Sequence, residues 1–253
     1  AFADAWSGYG GTSVCEVDKL HGIAFDLMRD DTVRTQIEFL DTHSVDGTVD
    51  AVFTPPCGVT SVLRFKLLAS HPVLVTPTYP VGVPGLSDDD LAKVRTWLQL
   101  CFRSCEHAQR VFDAGGNFMF ESPPRRNAET GPFAPCCGRA SDGSLKFPDH
   151  YTIWQTPPFL ALAERCNLSF MHVPSCFFTD PASGVASGPQ KVYTFAYTPG
   201  LSNAFAALAS ATCNGVRVTC PHSTHGSSLV GPGNSASSER YPDPVYGVLA
   251  RAL

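Results

Sequence analysis

The chain has 253 residues, 43% of them hydrophobic, enough to bury a core without cross-links and to form one large domain with at most a small appendage. A formal charge of −5, from 18 basic and 23 acidic side chains, argues against general adhesion to nucleic acid by phosphate neutralisation. No apolar run approaches the roughly 20 residues of a bilayer span, ten cysteines are too sparse for a disulfide-stapled miniprotein, and 21 Gly with 21 Pro predict a loop-rich globule. The chain opens on Ala1 with no signal-peptide pattern, which predicts a domain cut from a longer parent and reduced thiols in an intracellular compartment, nucleus or cytoplasm.

Phe2 to Trp6 reads as a short strand running into the glycine loop Ser7-Gly8-Tyr9-Gly10-Gly11, His21 to Phe25 as a second strand ending at Asp26, and Val49 to Thr54 as a third running into Pro55-Pro56-Cys57. A helix begins at Ser87, where Ser87-Asp88-Asp89-Asp90 offers an N-cap and an acidic first turn. Leu91, Val94, Leu98, Cys101, Cys105, Ala108 and Val111 then recur at three- and four-residue steps until Gly115-Gly116 ends the pattern. Asn117 to Phe120 is a buried strand delivering Glu121 to its C-terminal end. A helix follows at Phe159 to Cys166, with strands at Leu168 to Val173 and Lys191 to Thr198. Alternation of this kind predicts an α/β fold: a Rossmann-like, doubly wound, mostly parallel sheet with helices on both faces. The Gly- and Ser-rich stretches Pro181 to Pro189 and Gly226 to Ser238 read as surface loops.

In an open α/β sheet, ligands sit beyond the C-terminal strand ends, and those ends carry Ser7 to Gly11, Asp26, Pro56-Cys57 and Glu121. The glycine loop lacks the G-x-G-x-x-G spacing of a dinucleotide fingerprint, and no G-K-[ST] phosphate loop occurs. Asp26 is placed either to accept the hydroxyls of a ribose or to cap a turn. The two prolines hold Cys57 on a stiff loop, which suits a positioned nucleophile as well as a small buried hydrophobe; Cys101 and Cys105, on the helix face, belong to the core. Glu121 is flanked by apolar residues, and partial burial makes a carboxyl a better proton donor at neutral pH; its structural alternative is to bond amides of the Pro-rich turn.

Trp6-Ser7-Gly8-Tyr9-Gly10-Gly11, Thr54-Pro55-Pro56-Cys57 and Phe120-Glu121-Ser122-Pro123, in that order, resemble the motifs of a divergent cytosine carbon-5 DNA methyltransferase. The resemblance implies S-adenosylmethionine as cofactor, held by Trp6 to Gly11, Asp26, Asp41, Pro55 and Pro56. It implies that the Cys57 thiolate attacks carbon 6 of the base and that Glu121 protonates or hydrogen-bonds the ring nitrogen. A thiolate adduct turns carbon 5, a poor nucleophile, into an enamine-like carbon that takes a methyl group. Amino-methyltransferases carry an aromatic residue in place of the cysteine. Ser122 stands where the family has asparagine and Gly58 where it has glutamine, and no Gln-x-Arg-x-Arg strand is visible. The resemblance divides the chain into a catalytic part at 1–198, a reduced target-recognition or Cys/His-rich segment at 199–240 and a closing C-terminal helix at 241–253.

Arg64, Ser122, Pro123, Arg125, Arg126 and Lys191 are the candidates for contact with a nucleic-acid substrate, the arginine pair reading equally as a solvated turn. Cys213, Cys220, His222 and His225 form a C-x6-C-x-H-x2-H cluster of zinc-like ligand types, or contact phosphate, or cap their loop. Cys136-Cys137 reads as incidental. Two rivals accompany the methyltransferase reading. One is a catalytically degenerate module that binds cofactor or nucleic acid inside a larger protein, with RNA as a further substrate class. The other is thiol hydrolase chemistry pairing Cys57 with His71, His107 or His150.

Overall fold

A computed structural model describes residues 28–43, 50–61, 63–66, 72–174 and 192–209. The elements in chain order are α1 (Asp30–His43), β1 (Ala51–Phe53), α2 (Leu63–Lys66), α3 (Asp88–Asp113), β2 (Phe118–Ser122), α4 (Pro157–Arg165), β3 (Ser169–Pro174), β4 (Val192–Tyr197) and α5 (Ser202–Ala209). Short 3-10 turns lie at Ala134–Cys136, Ile153–Gln155 and Pro199–Leu201. The architecture is α/β, with strands in the order β1-β2-β4-β3. The last strand in sequence thus lies between its two predecessors. β1 and β2 are parallel, with Ala51, Val52 and Phe53 opposite Phe118, Met119 and Phe120.

The described residues divide into two compact units. The larger holds everything up to Phe170 together with Phe195–Pro199; the smaller holds 171–174, 192–194 and 200–209. Within the smaller unit, His172 Nδ1 and Thr194 Oγ1 are 2.8 Å apart, and Leu201 and Phe205 are buried.

The long helix α3 starts and stops where its sequence dictates. The Ser87 hydroxyl oxygen accepts from the Asp90 amide, and Asp88, Asp89 and Asp90 face the positive end of the helix dipole. At the other end Gly115, at φ 87°, takes the left-handed conformation that lets Gly116 N–H reach Val111 O. Between these ends Val94, Trp97, Cys101, Cys105, Ala108 and Val111 form a buried stripe. α3 packs on α1, α4, β1 and β2, as the crossover between two parallel strands must. Both core cysteines have thiols pushed up by burial, Cys105 to about 12, so they are packing groups.

The sequence-based boundaries of β1, β2, α4, β3 and β4 shift by one or two residues. β2 continues through Glu121 and Ser122 because both are buried and remain in the strand. Helix α1 is an addition: of its residues Leu40 and Thr32 are buried, and Arg103 and Arg110 of α3 pair with its Asp30 and Asp41. An aromatic core backs the sheet, with Phe120 meeting Phe53 at 5.0 Å and Phe159 at 5.4 Å, and Phe159 meeting Trp154 at 4.8 Å. Among the described residues, no helix is long and apolar enough to cross a membrane.

Candidate functional site

Because β1 and β2 are parallel and in register, the loops that follow them leave the sheet at the same edge. The first carries Thr54-Pro55-Pro56-Cys57. Pro55 is buried, Pro56 exposed, and Cys57 half-buried, so the thiol lies where the chain turns from core to solvent. Cys57 is not in a disulfide. Its carbonyl oxygen accepts from the amide and the hydroxyl of Thr60, at 3.1 and 3.2 Å, closing a tight turn. Gly58 is exposed, and a Cβ added there would meet none of the described residues within 4 Å.

Arg64 braces this turn from α2. Its Nε donates to Gly58 O at 2.8 Å and its Nη1 to Pro72 O at 3.0 Å. These donors are engaged with the protein's own backbone, which makes Arg64 a support for the Cys57 turn.

The second loop begins at Pro123, after Glu121, which is 8% exposed, and buried Ser122, the last two residues of β2. Trp154 donates its indole N–H to Pro123 O at 2.8 Å. Arg125 donates to Asn127 Oδ1 at 2.7 Å, and Asn127 donates to Pro148 O at 2.9 Å. The Arg126 guanidinium donates to Cys136 O, and burial lowers its pKa. Cys136 is buried with its thiol pushed up to about 12. Cys137 Sγ accepts from the Ala128 amide at 3.1 Å. The Cys136-Cys137 pair thus helps to shape the loop after Glu121.

His150 joins the two loops. Its Nδ1 accepts from the Arg126 amide at 3.0 Å, and its Nε2 lies 2.9 Å from Thr60 O. Burial, with the charges of Arg126 and Arg125, lowers its pKa to about 4. With both nitrogens engaged on backbone, His150 has no lone pair to offer the Cys57 thiol. His107 lies on α3, its Nδ1 2.7 Å from Arg103 O, and burial lowers its pKa as well. His150 therefore does not supply the base of a thiol–histidine hydrolase site.

Asp41 lies in the last turn of α1, exposed, 3.4 Å from Arg110 Nη1. It sits on a helix and not at a strand end. Trp6, Ser7, Gly8, Tyr9, Gly10, Gly11, Asp26, His71, Lys191, Cys213, Cys220, His222 and His225, and the C-terminal helix at 241–253, lie outside the described residues. Among the described residues, no group of three or more His, Cys, Asp or Glu side chains is placed to hold a metal ion. A groove of about 670 Å³ opens between α3 and α4, lined by Phe102, Glu106, Arg110, Asp113, Ala161 and Arg165 among others, none of them from the two loops.

His150 and Trp154 are the functional-region residues that sequence reasoning did not assign to these loops. The signal was faint: a histidine and a tryptophan four residues apart in an otherwise uncharged stretch, His150-Tyr151-Thr152-Ile153-Trp154. No protein-family model, curated protein or solved structure matches the chain.

Proposed function

We propose that the chain is an S-adenosylmethionine-dependent methyltransferase that transfers a methyl group to carbon 5 of cytosine in nucleic acid, DNA before RNA, through a covalent adduct on Cys57. The observation that supports it is the pairing of β1 with β2. A thiol four residues beyond Phe53 and a carboxyl one residue beyond Phe120 follow register partners of two adjacent parallel strands. One group is nucleophilic and half-buried; the other is a nearly buried acid.

The chemistry asks for this pair. The Cys57 thiolate adds to carbon 6, while Glu121 supplies a proton or hydrogen bond to the ring nitrogen, so the ring's electrons move to carbon 5 and make it nucleophilic. Methyl transfer releases S-adenosylhomocysteine; the carbon-5 proton then passes to water, the ring nitrogen returns its proton to Glu121, and Cys57 departs as thiolate to restore the ring. The target base has to leave its stack, at a cost of a few kcal/mol for a paired base. On this reading the sheet continues as a doubly wound Rossmann-like fold. The segment Trp6 to Gly11, with Asp26, Pro55 and Pro56, holds the cofactor, and Ser122, Pro123, Arg125 and Lys191 approach the nucleic acid.

Covalent trapping tests the proposal. The chain and its Cys57→Ser variant are incubated with S-adenosylmethionine and DNA or RNA oligonucleotides containing 5-fluorocytosine, and the intact mass is read. A Cys57-dependent adduct, on DNA more than RNA, is the expected result. Cofactor binding without an adduct on any oligonucleotide overturns the catalytic reading in favour of a binding module within a larger protein.

A further inference from the structure

The Cys57 turn and the loop that follows Glu121 are tied to each other through one imidazole. Thr60 closes the Cys57 turn by donating twice to the Cys57 carbonyl, and its own carbonyl faces His150 Nε2 at 2.9 Å. Across the ring, Nδ1 faces the amide of Arg126, five residues beyond Glu121, at 3.0 Å. The ring is 2% exposed and packs edge-on against Phe65 of α2, centroids 5.9 Å apart.

These partners determine the state of the ring. A backbone amide only donates, so Nδ1 must be bare; a carbonyl only accepts, so Nε2 must carry the hydrogen. A protonated ring would set an N–H against the Arg126 amide and a charge beside Arg125 and Arg126. The neutral Nε2–H tautomer is the one form that satisfies both neighbours.

We propose that His150 is a positioning residue, a neutral latch whose two nitrogens hold the Cys57 turn and the loop after Glu121 in a fixed relation. The inference rests on the reading of Cys57 and Glu121 as a reactive pair. Reacting groups have to be held to a fraction of an ångström, and a displacement of about 1 Å costs on the order of 100-fold in rate. The two loops leave separate strands and need a tie beyond the sheet. His150 provides one by bonding backbone, so the tie does not depend on which side chains flank it.

The test uses the full chain, its His150→Leu and His150→Asn variants and a His150→Gln control. The amide of Gln offers one acceptor and one donor about as far apart as the ring nitrogens; Asn keeps an acceptor near Nδ1 and loses the donor to Thr60. Three readouts are followed: adduct formation on the 5-fluorocytosine oligonucleotide, alkylation of Cys57 by iodoacetamide resolved by peptide mass, and hydrogen exchange at the Arg126 amide. In the wild-type chain, nitrogen chemical shifts of the ring should report the Nε2–H tautomer.

With His150→Leu, adduct formation should slow by about tenfold or more while S-adenosylmethionine affinity stays within about twofold. Cys57 alkylation and Arg126 exchange should both accelerate by about tenfold. His150→Asn should accelerate the alkylation and leave Arg126 protected, and His150→Gln should restore most of each. The opposite tautomer, or alkylation and exchange within about twofold of wild type in folded His150→Leu and His150→Asn, overturns the latch. Loosened loops with unchanged adduct formation overturn the positioning role. A wild-type chain that forms no adduct overturns the methyltransferase reading instead, and alkylation and exchange then decide the latch by themselves.

Discussion

Phe53, the last residue of β1, and Phe120, in the middle of β2, are register partners on two parallel strands, their rings 5.0 Å apart and 24° from coplanar. Phe120 also meets Phe118 and Phe159 and is fully buried, so it locks the end of β2 into the aromatic core. Glu121 is the next residue, and Pro55-Pro56-Cys57 begins two residues after Phe53. Hydrophobic packing behind the edge therefore determines where the polar groups leave it.

Phe120→Ala should cost about 3 to 5 kcal/mol, the range for deleting a buried phenyl ring, and Phe53→Ala should cost less because Phe53 is half-buried. Urea unfolding of both variants checks the order. Equal costs would mean that Phe120 is not the anchor of the edge.

Glu121→Gln keeps the shape of the side chain and removes the acid. A general acid contributes roughly 100- to 10,000-fold, so adduct formation should slow within that range while the melting temperature moves little. Cys57→Ser should abolish the adduct. A Glu121→Gln variant that traps at the wild-type rate would remove the carboxyl from the mechanism, whatever Cys57 does.

Much of this arrangement can be read from the chain because it is written in local signals. Ser87 and the three aspartates start α3, Gly115-Gly116 end it, and the short apolar runs Ala51-Val52-Phe53 and Phe118-Met119-Phe120 mark β1 and β2. Helix α1 went unread because its apolar stripe is thin, with Leu40 alone fully committed to the core among its large apolar residues. The ties between the loops are invisible for a different reason. His150 finds Thr60 across 90 positions and Arg126 across 24, and a contact between distant backbone groups leaves no period or spacing to recognise. Its nature as a histidine suggested a base for Cys57; its surroundings make it a support.

Gly58 should accept a side chain. It is exposed, an added Cβ meets none of the described residues within 4 Å, and Arg64 bonds its carbonyl and not its α-carbon. Gly58→Gln should therefore change stability by less than about 0.5 kcal/mol, as surface substitutions usually do. It also installs the side chain that cytosine carbon-5 methyltransferases carry after the Pro-Cys pair, so trapping should persist or quicken. A loss of trapping in a stable Gly58→Gln variant would mean that the open space in front of Cys57 is itself needed for substrate.

Acid should weaken the fold through His150. Its pKa in the folded chain is about 4, against an ordinary value of 6.5, so between those values the unfolded chain binds a proton that the folded chain refuses. The stability that this difference confers is fully present above about pH 6.5, declines as pH falls toward 4, and amounts to at most roughly 3 kcal/mol. His107, lowered in the same direction by burial, adds to the slope, so the informative quantity is a difference between variants. His150→Gln removes the proton-binding group and keeps an acceptor and a donor, and the gap between its urea midpoint and that of wild type should shift in favour of the variant from pH 7 to pH 4.5. Parallel curves over that interval would show that His150 is not the buried neutral imidazole that its two backbone partners require.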